Sequence, residues 1–226
     1  LEKETIGWGA SGRNGGQVIP GLKELPEAVI GHFGQEMGSK IIALAGGAPD
    51  YVFKLIEKYE IDCSASQNGW IQASVSRNGL DTNKKLFRQW KDQNAPVELL
   101  SKSAIQSLIG SHTYSGGILD QRGGKLHPLN YVTGLAQAAQ QRGISIYQKC
   151  PVVGIKQTGD YYKIECPNGQ ILAGKVVLTT NAYGDSISET RNKNVIPVQS
   201  VQVATAPLSD NILKTILPQG QVVSDT

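Results

Sequence analysis

With 226 residues, 39% of them hydrophobic, the chain can bury a core as one large domain or two interleaved ones, which excludes a disordered segment or a coiled coil. Lys and Arg total 22 against 19 Asp and Glu, a formal net charge of +3 scattered singly, so no basic stripe marks a nucleic-acid interface. Cys63, Cys150 and Cys166 lack C-x-x-C spacing, His32, His112 and His127 lie far apart, and no stretch approaches 18 apolar residues; neither a disulfide framework, a metal site nor a membrane span is expected.

The chain opens LEKETIGWGASGRNGGQVIP, in which Gly7, Gly9 and Gly12 have the G-x-G-x-x-G spacing of a dinucleotide-binding turn. Such a turn follows a buried strand, opens a helix whose amides hold a pyrophosphate, and is answered about 20 residues later by an acidic residue. Here Glu2, Lys3, Glu4 and Thr5 make the lead-in polar, and Gly15, Gly16 and Pro20 interrupt any helix from Gly12. The segment therefore reads as a different glycine loop.

Apolar spacing next predicts helices over 22–45 and 47–60, the second with Pro49 near its start. IDCSASQNGWIQASVS predicts two short strands joined as a hairpin at Asn68-Gly69. NGLDTNKKLFRQWKDQN reads as a helix, LLSKSAIQSLIG as a shorter one capped by Ser101 or Ser103, and YSGGILD as a strand. From Pro128 a strong helix, PLNYVTGLAQAAQQRG, ends at Gly143 and feeds a strand, ISIYQ, in the manner of a parallel sheet. PVVGIKQTG, YYKIECPNG and QILAGKVVLTTNAYG form an antiparallel meander with turns at 158–160 and 168–169, returning to a buried run at KVVLTT. A final β-rich stretch is expected at VIPVQSVQVATAPL.

These segments, in this order, resemble the FAD-dependent oxidoreductases of the D-amino-acid oxidase type, and within them the bacterial γ-glutamylputrescine oxidoreductase-like amine oxidases. GASGRNGGQV (9–18) carries the resemblance most specifically, supported by GGKLHPLNYVTGLA, PVVGI, VVLTTNAYG and IPVQSVQVATAPL. The resemblance implies an α/β, mixed α+β fold: part of a Rossmann-like FAD-binding domain with a β-meander, plus an interleaved β-rich substrate domain. The expected division is 1–60 and 123–190 for the FAD-binding part, 61–122 and 191–226 for the substrate part. It also implies that the family's own G-x-G-x-x-G lies upstream of Leu1, that a C-terminal part is left off, and that this chain alone holds FAD weakly or not at all and is inactive.

Position by position, Glu2 matches the family's acidic residue for the adenosine ribose, against the plainer reading of a solvated glutamate. The loop Ala10, Ser11, Gly12, Arg13, Asn14, Gly15, Gly16 and Gln17 matches the segment along the pyrophosphate, ribityl chain and flavin ring. Ser11 there suits a phosphate or ribityl oxygen, and Arg13 the charge of reduced flavin; a surface turn is the alternative. Val152 matches the position whose backbone meets adenine, with a plain strand valine equally compatible. Thr180 and Asn181 fall where the sheet's carboxyl end faces cofactor. His127 either faces substrate or shapes the turn before Pro128, the reading favoured here.

The implied activity is FAD-dependent oxidation of an amine or amino acid: a hydride passes from the carbon bearing nitrogen to the flavin, and the imine is hydrolysed. No protein catalytic set is evident. The alternatives are a non-catalytic piece that binds an anion or partner through the glycine loop, and a flavin enzyme of the same fold acting on a hydroxy acid. A small-molecule substrate and a cytoplasmic setting are expected. An incomplete sheet edge at 144–147 and 175–180 offers a route to self-association.

Overall fold

A computed structural model of the chain describes residues 1–184, 187, 198 and 200–225. By packing, the chain divides into two compact units: Leu1–Asn14 with Pro128–Val203, and Gly15–His127 with Ala204–Thr226. Residues 15–60, expected beside 1–14, thus pack with the later segment.

The larger unit is built on a four-stranded sheet of β2 (Trp70–Ser74), β3 (Val97–Leu100), β4 (Gly116–Asp120) and β9 (Val222–Asp225), in the order β3-β4-β2-β9. β4 is antiparallel to β3 and β2, and β9 runs parallel to β2. Both faces of β2 are covered, which explains why four of its five residues, Ser74 included, are buried. On one face Trp70, Ile118, Val97 and Val222 pack with Leu86 and Trp90 of α2 (Arg77–Asp92) and with Val29 and Ile42 of α1 (Pro26–Lys58). On the other, Ile71, Ala73 and Leu100 meet Ile105 and Ile109 of α3 (Lys102–Ile109). Ser76 caps α2 by accepting from the Gly79 amide, and Ser101 caps α3 by accepting from that of Ala104.

Two local readings are corrected here. The expected break at residues 46–47 is absent: the helix continues through Gly46, Gly47 and Pro49, and its kink lies at Gly34, whose φ of 75° is a left-handed value. Pro49 has no amide to offer the Ala45 carbonyl, which would cost an interior helix. That carbonyl instead accepts from the Gly21 amide at 3.0 Å, and the next, of Gly46, accepts from Arg122 at 3.2 Å. Nor is there a hairpin at Asn68-Gly69, because both edges of β2 are taken by β4 and β9. The Asn68 side chain donates to the Gln219 carbonyl at 2.8 Å and the Gly69 amide to that of Gly123 at 2.9 Å, so this turn is held from distant sequence. Residues 61–67 contribute a single isolated bridge, Ser66 to Lys125.

A two-stranded pair, β1 (Gln17–Val18) with β5 (Gly124–Lys125), belongs to the same unit. In the smaller unit, α4 (Pro128–Gln141) precedes an antiparallel meander of β6 (Gly154–Thr158), β7 (Tyr161–Cys166) and β8 (Gly169–Ala173), as expected. The expected strands at 144–148 and 175–180 are not formed. Residues 147–150 make backbone hydrogen bonds with Glu2 and Glu4 but no continuous ladder. Of the β-rich stretch expected at 195–208, positions 195–197 and 199 lie outside the described residues, and the rest contain no strand. A short helix, α5 (Asp210–Leu213), precedes β9. Among the described residues no helix is long and apolar enough to cross a membrane.

Candidate functional site

The glycine loop in the smaller unit is a single 3-10 turn, Ala10–Gly12, and no strand leads into it. Gly12 has to be glycine: a Cβ there would collide with the Gly7 carbonyl oxygen. The Asn14 side chain closes the turn, donating to the carbonyls of Ala10 at 3.1 Å and Ser11 at 3.0 Å. The Arg13 guanidinium stacks 4.9 Å from the centre of the Trp8 ring. Trp8 in turn meets Tyr183 edge to face, with ring centres 5.9 Å apart.

Beside this turn lies a cavity of about 440 Å³, within the range of about 300–1,000 Å³ usual for small-molecule and cofactor sites. Four separated parts of the chain bound it: residues within 1–11, Val132 of α4, Ile146 after it, and residues within 179–183. Glu2, Ala10, Ser11, Thr180 and Asn181 all line it. Glu2 is half-buried, and its Oε1 accepts the Glu4 amide at 2.9 Å, which fixes the direction of the carboxylate. Its backbone is tied to residues 147 and 150: the Glu2 amide donates to the Tyr147 carbonyl at 2.8 Å, and the Cys150 amide to the Glu2 carbonyl at 2.9 Å. Thr180 is the residue before the 3-10 turn Asn181–Tyr183, and its carbonyl accepts the Tyr183 amide at 2.9 Å.

A second cavity in the same unit, of about 270 Å³, shares Leu1, Lys3, Thr180 and Tyr183 with the first. Val152 lines it, as does Cys150. Five of the expected residues thus surround one cavity, Val152 lines its neighbour, and Gly12, Arg13 and Asn14 build the turn.

Gly15, Gly16, Gln17 and His127 belong to the larger unit. There Gly16 is buried and its carbonyl accepts the Leu126 amide at 2.9 Å. Gln17 uses its side chain to donate to the Val223 carbonyl at 3.2 Å. The His127 amide donates to the Cys63 carbonyl at 2.7 Å immediately before α4, the backbone role of a turn residue. Sequence reasoning missed Trp8, Tyr183, Ile6, Val132 and Ile146. The two aromatics had a signal: Trp8 directly precedes the glycine loop, and Tyr183 stands in NAYG.

The larger cavity offers a carboxylate to accept from hydroxyls, hydroxyl and amide groups for polar oxygens, and apolar walls at Ile6, Val132 and Ile146. Among the described residues no histidine, cysteine or aspartate lines it, and no three potential ligands converge on a metal position. Such a lining binds and orients.

The FAD dependent oxidoreductase family, DAO, matches residues 1–226. The chain belongs to this family. FAD is therefore the cofactor with which its site is to be compared. A protein described as "Probable oxidoreductase OrdL" from Haemophilus influenzae is 32% identical over 233 residues, covering 100% of this chain and 53% of that protein. "Gamma-glutamylputrescine oxidoreductase" of Escherichia coli K12 is 29% identical over 227 residues, again covering 100% of this chain and 53% of the relative. The chain spans about half the length of these curated relatives. In three dimensions it resembles glycine oxidase from Geobacillus kaustophilus, with a TM-score of 0.64, 20% identity, and coverage of 82% of this chain and 49% of that one. This last likeness shows a shared fold, the mixed α/β architecture of the family.

Proposed function

We propose that the chain forms part of an FAD-dependent oxidoreductase acting on the C–N bond of a small amine or amino acid, with the 440 Å³ cavity as part of the cofactor site. The observation that carries the proposal is the convergence of Glu2, Ser11, Thr180 and Asn181, from separate segments, on one cavity. The lining suits the cofactor's chemistry: Glu2 for the ribose hydroxyls, Ser11 and Thr180 for polar oxygens, and the apolar walls for flat or hydrocarbon parts. Charge-assisted hydrogen bonds of the Glu2 kind contribute about 1.5–3 kcal/mol each. Bound FAD would supply the acceptor for a hydride from the carbon that bears nitrogen. The chain's own residues are left to bind, orient and shield, for which hydroxyl, carboxylate and apolar groups of this kind are sufficient. The amine class follows from the name of the E. coli relative, γ-glutamylputrescine oxidoreductase.

Of the residues in this reading, Glu2, Ala10, Ser11, Thr180 and Asn181 lie in the smaller unit, and Gly15, Gly16 and Gln17 in the larger, sheet-based one. The test uses a polypeptide that extends this chain to the length of its relatives. It is expected to carry the flavin absorption bands and to release an aldehyde or keto product from amines, and Glu2→Ala is expected to weaken FAD by about 1.5–3 kcal/mol. A colourless protein that takes up no FAD overturns the proposal. Turnover of hydroxy acids alone, with flavin bound, overturns the substrate class and leaves the cofactor assignment standing.

A further inference from the structure

Cys150 and Cys166 are 16 positions apart in the sequence and lie in the same compact unit. The strand register sets Cys150 a few residues before the point where the chain reaches the end of β7 that carries Cys166. Gly154 of β6 stands opposite Glu165 of β7, and just before β6 the Val153 amide donates to the Glu165 carbonyl at 2.8 Å. The segment that leads into β6 therefore runs back along the end of β7, where Cys166 lies. Both cysteines are free and half-buried, and the Cys150 thiol is a close enough neighbour to push up that of Cys166. Cys150 also lines the 270 Å³ cavity, which gives a small reagent a way to its sulfur.

We propose that Cys150 and Cys166 form a reversible dithiol–disulfide pair that is closed by peroxide-class oxidants. The inference does not rest on the FAD reading, since it concerns only the chain's own sulfur atoms.

The two thiols are not equivalent. Burial, and then the neighbouring Cys150 thiol, push the Cys166 thiol above its ordinary value of 9.0, so Cys166 keeps its proton longer. Cys150, which lines the cavity, is the thiol open to the reagent and makes the attack. Its thiolate displaces hydroxide from hydrogen peroxide, breaking the O–O bond and leaving a sulfenic acid. Cys166 then attacks this sulfur and water leaves as the S–S bond forms. Overall the two thiols lose two electrons and two protons, and the peroxide becomes two molecules of water.

Closure would tie β7 to the stretch 147–150, which holds Glu2 and Glu4 by their backbones. Cys63 is the internal control: it is 1% exposed, lies in the other unit, and its thiol is also pushed up by burial.

The test treats the native chain with hydrogen peroxide, alkylates the remaining thiols and maps the products by mass spectrometry. The expected product is one intramolecular link between Cys150 and Cys166, lighter by two hydrogens, reversed by dithiothreitol, with Cys63 still reduced. Unfolded chain should instead give a mixture of all three pairings. In Cys166→Ser the link is lost and Cys150 stops at a sulfenic acid that dimedone captures; in Cys150→Ser both the link and the dimedone adduct are lost. Circular dichroism of each variant checks that it is folded. Links to Cys63, disulfides between chains, or Cys150 driven to sulfinic acid in the unsubstituted chain without a 150–166 link would overturn the proposal.

Discussion

The two units bury their apolar side chains very differently. Ile71, Ile105 and Ile118 of the larger unit are wholly inaccessible, and its sheet is packed on both faces. In the smaller unit Ala138 and Ile164 are the buried hydrophobics among the described residues, while Leu172 is 67% exposed and Val177 81%. The larger unit is held together by its own core. The smaller one owes its shape to backbone bonds around Glu2, to the three-stranded meander and to the glycine turn, and it keeps its cavities open. A core that is already complete cannot readily accommodate a ligand; a unit with unfilled apolar surface can gain stability when one binds.

The largest expected effect that tests this contrast is electrostatic. In the larger unit Arg122 is 12% exposed and pairs with Asp120, 2% exposed, through two side-chain hydrogen bonds, while its guanidinium also lies 4.5 Å from the centre of the Trp90 ring. In the smaller unit Lys163 and Glu165 pair at 3.1 Å with exposures of 37% and 49%. Arg122→Met leaves a buried carboxylate unpaired and is expected to cost about 3–5 kcal/mol, whereas Lys163→Met should cost less than about 1 kcal/mol. Urea unfolding followed by tryptophan fluorescence measures both. Equal losses would show that the two units are held in the same way.

Packing supplies the next test. Ile118→Ala, in a filled core, is expected to cost about 2–5 kcal/mol, from lost burial and the cavity left behind. Val177→Ala removes a side chain that already faces solvent and should fall within about 0.5 kcal/mol of the parent. A large loss at Val177 in the same urea experiment would mean that this residue is covered in solution, and the contrast between the units would fail.

The sequence made the pattern-driven elements legible: α2, α3 with its serine cap, α4, and the meander with its two turns. It was misleading wherever a distant partner satisfies a local signal. Asn68-Gly69 is the sequence of a tight hairpin, yet its polar groups bond to residues 123 and 219. Pro49 marks a helix boundary until Gly21 takes up the carbonyl that it frees. β3 and β9 went unseen because strands of four residues, VELL and VVSD, carry too little periodicity to be told from loop. The same holds for the site. Glu2, Ser11, Thr180 and Asn181 were found through their resemblance to a family, but their meeting at one cavity is a tertiary fact. Trp8 and Tyr183 were missed because only the fold brings residues 175 positions apart into contact.

The smallest effect concerns pH and the larger unit. Burial, with a further contribution from the Asp62 charge, raises the Cys63 thiol above 9.0 in the larger unit, outweighing a backbone hydrogen bond at Ala65 that lowers it. At a pH below 9.0 the thiol is protonated in both the folded and unfolded chain, and the preference of the fold for the protonated form counts in full. As pH rises, the unfolded thiol ionises first, so that contribution is lost from about pH 9 upward through the folded value. Cys63→Ala should therefore lose less stability than the parent between neutral and strongly alkaline pH, in the transition reported by the buried Trp70 and Trp90. Parallel slopes for the parent and Cys63→Ala would show that the buried thiol contributes nothing to the alkaline limit of the larger unit.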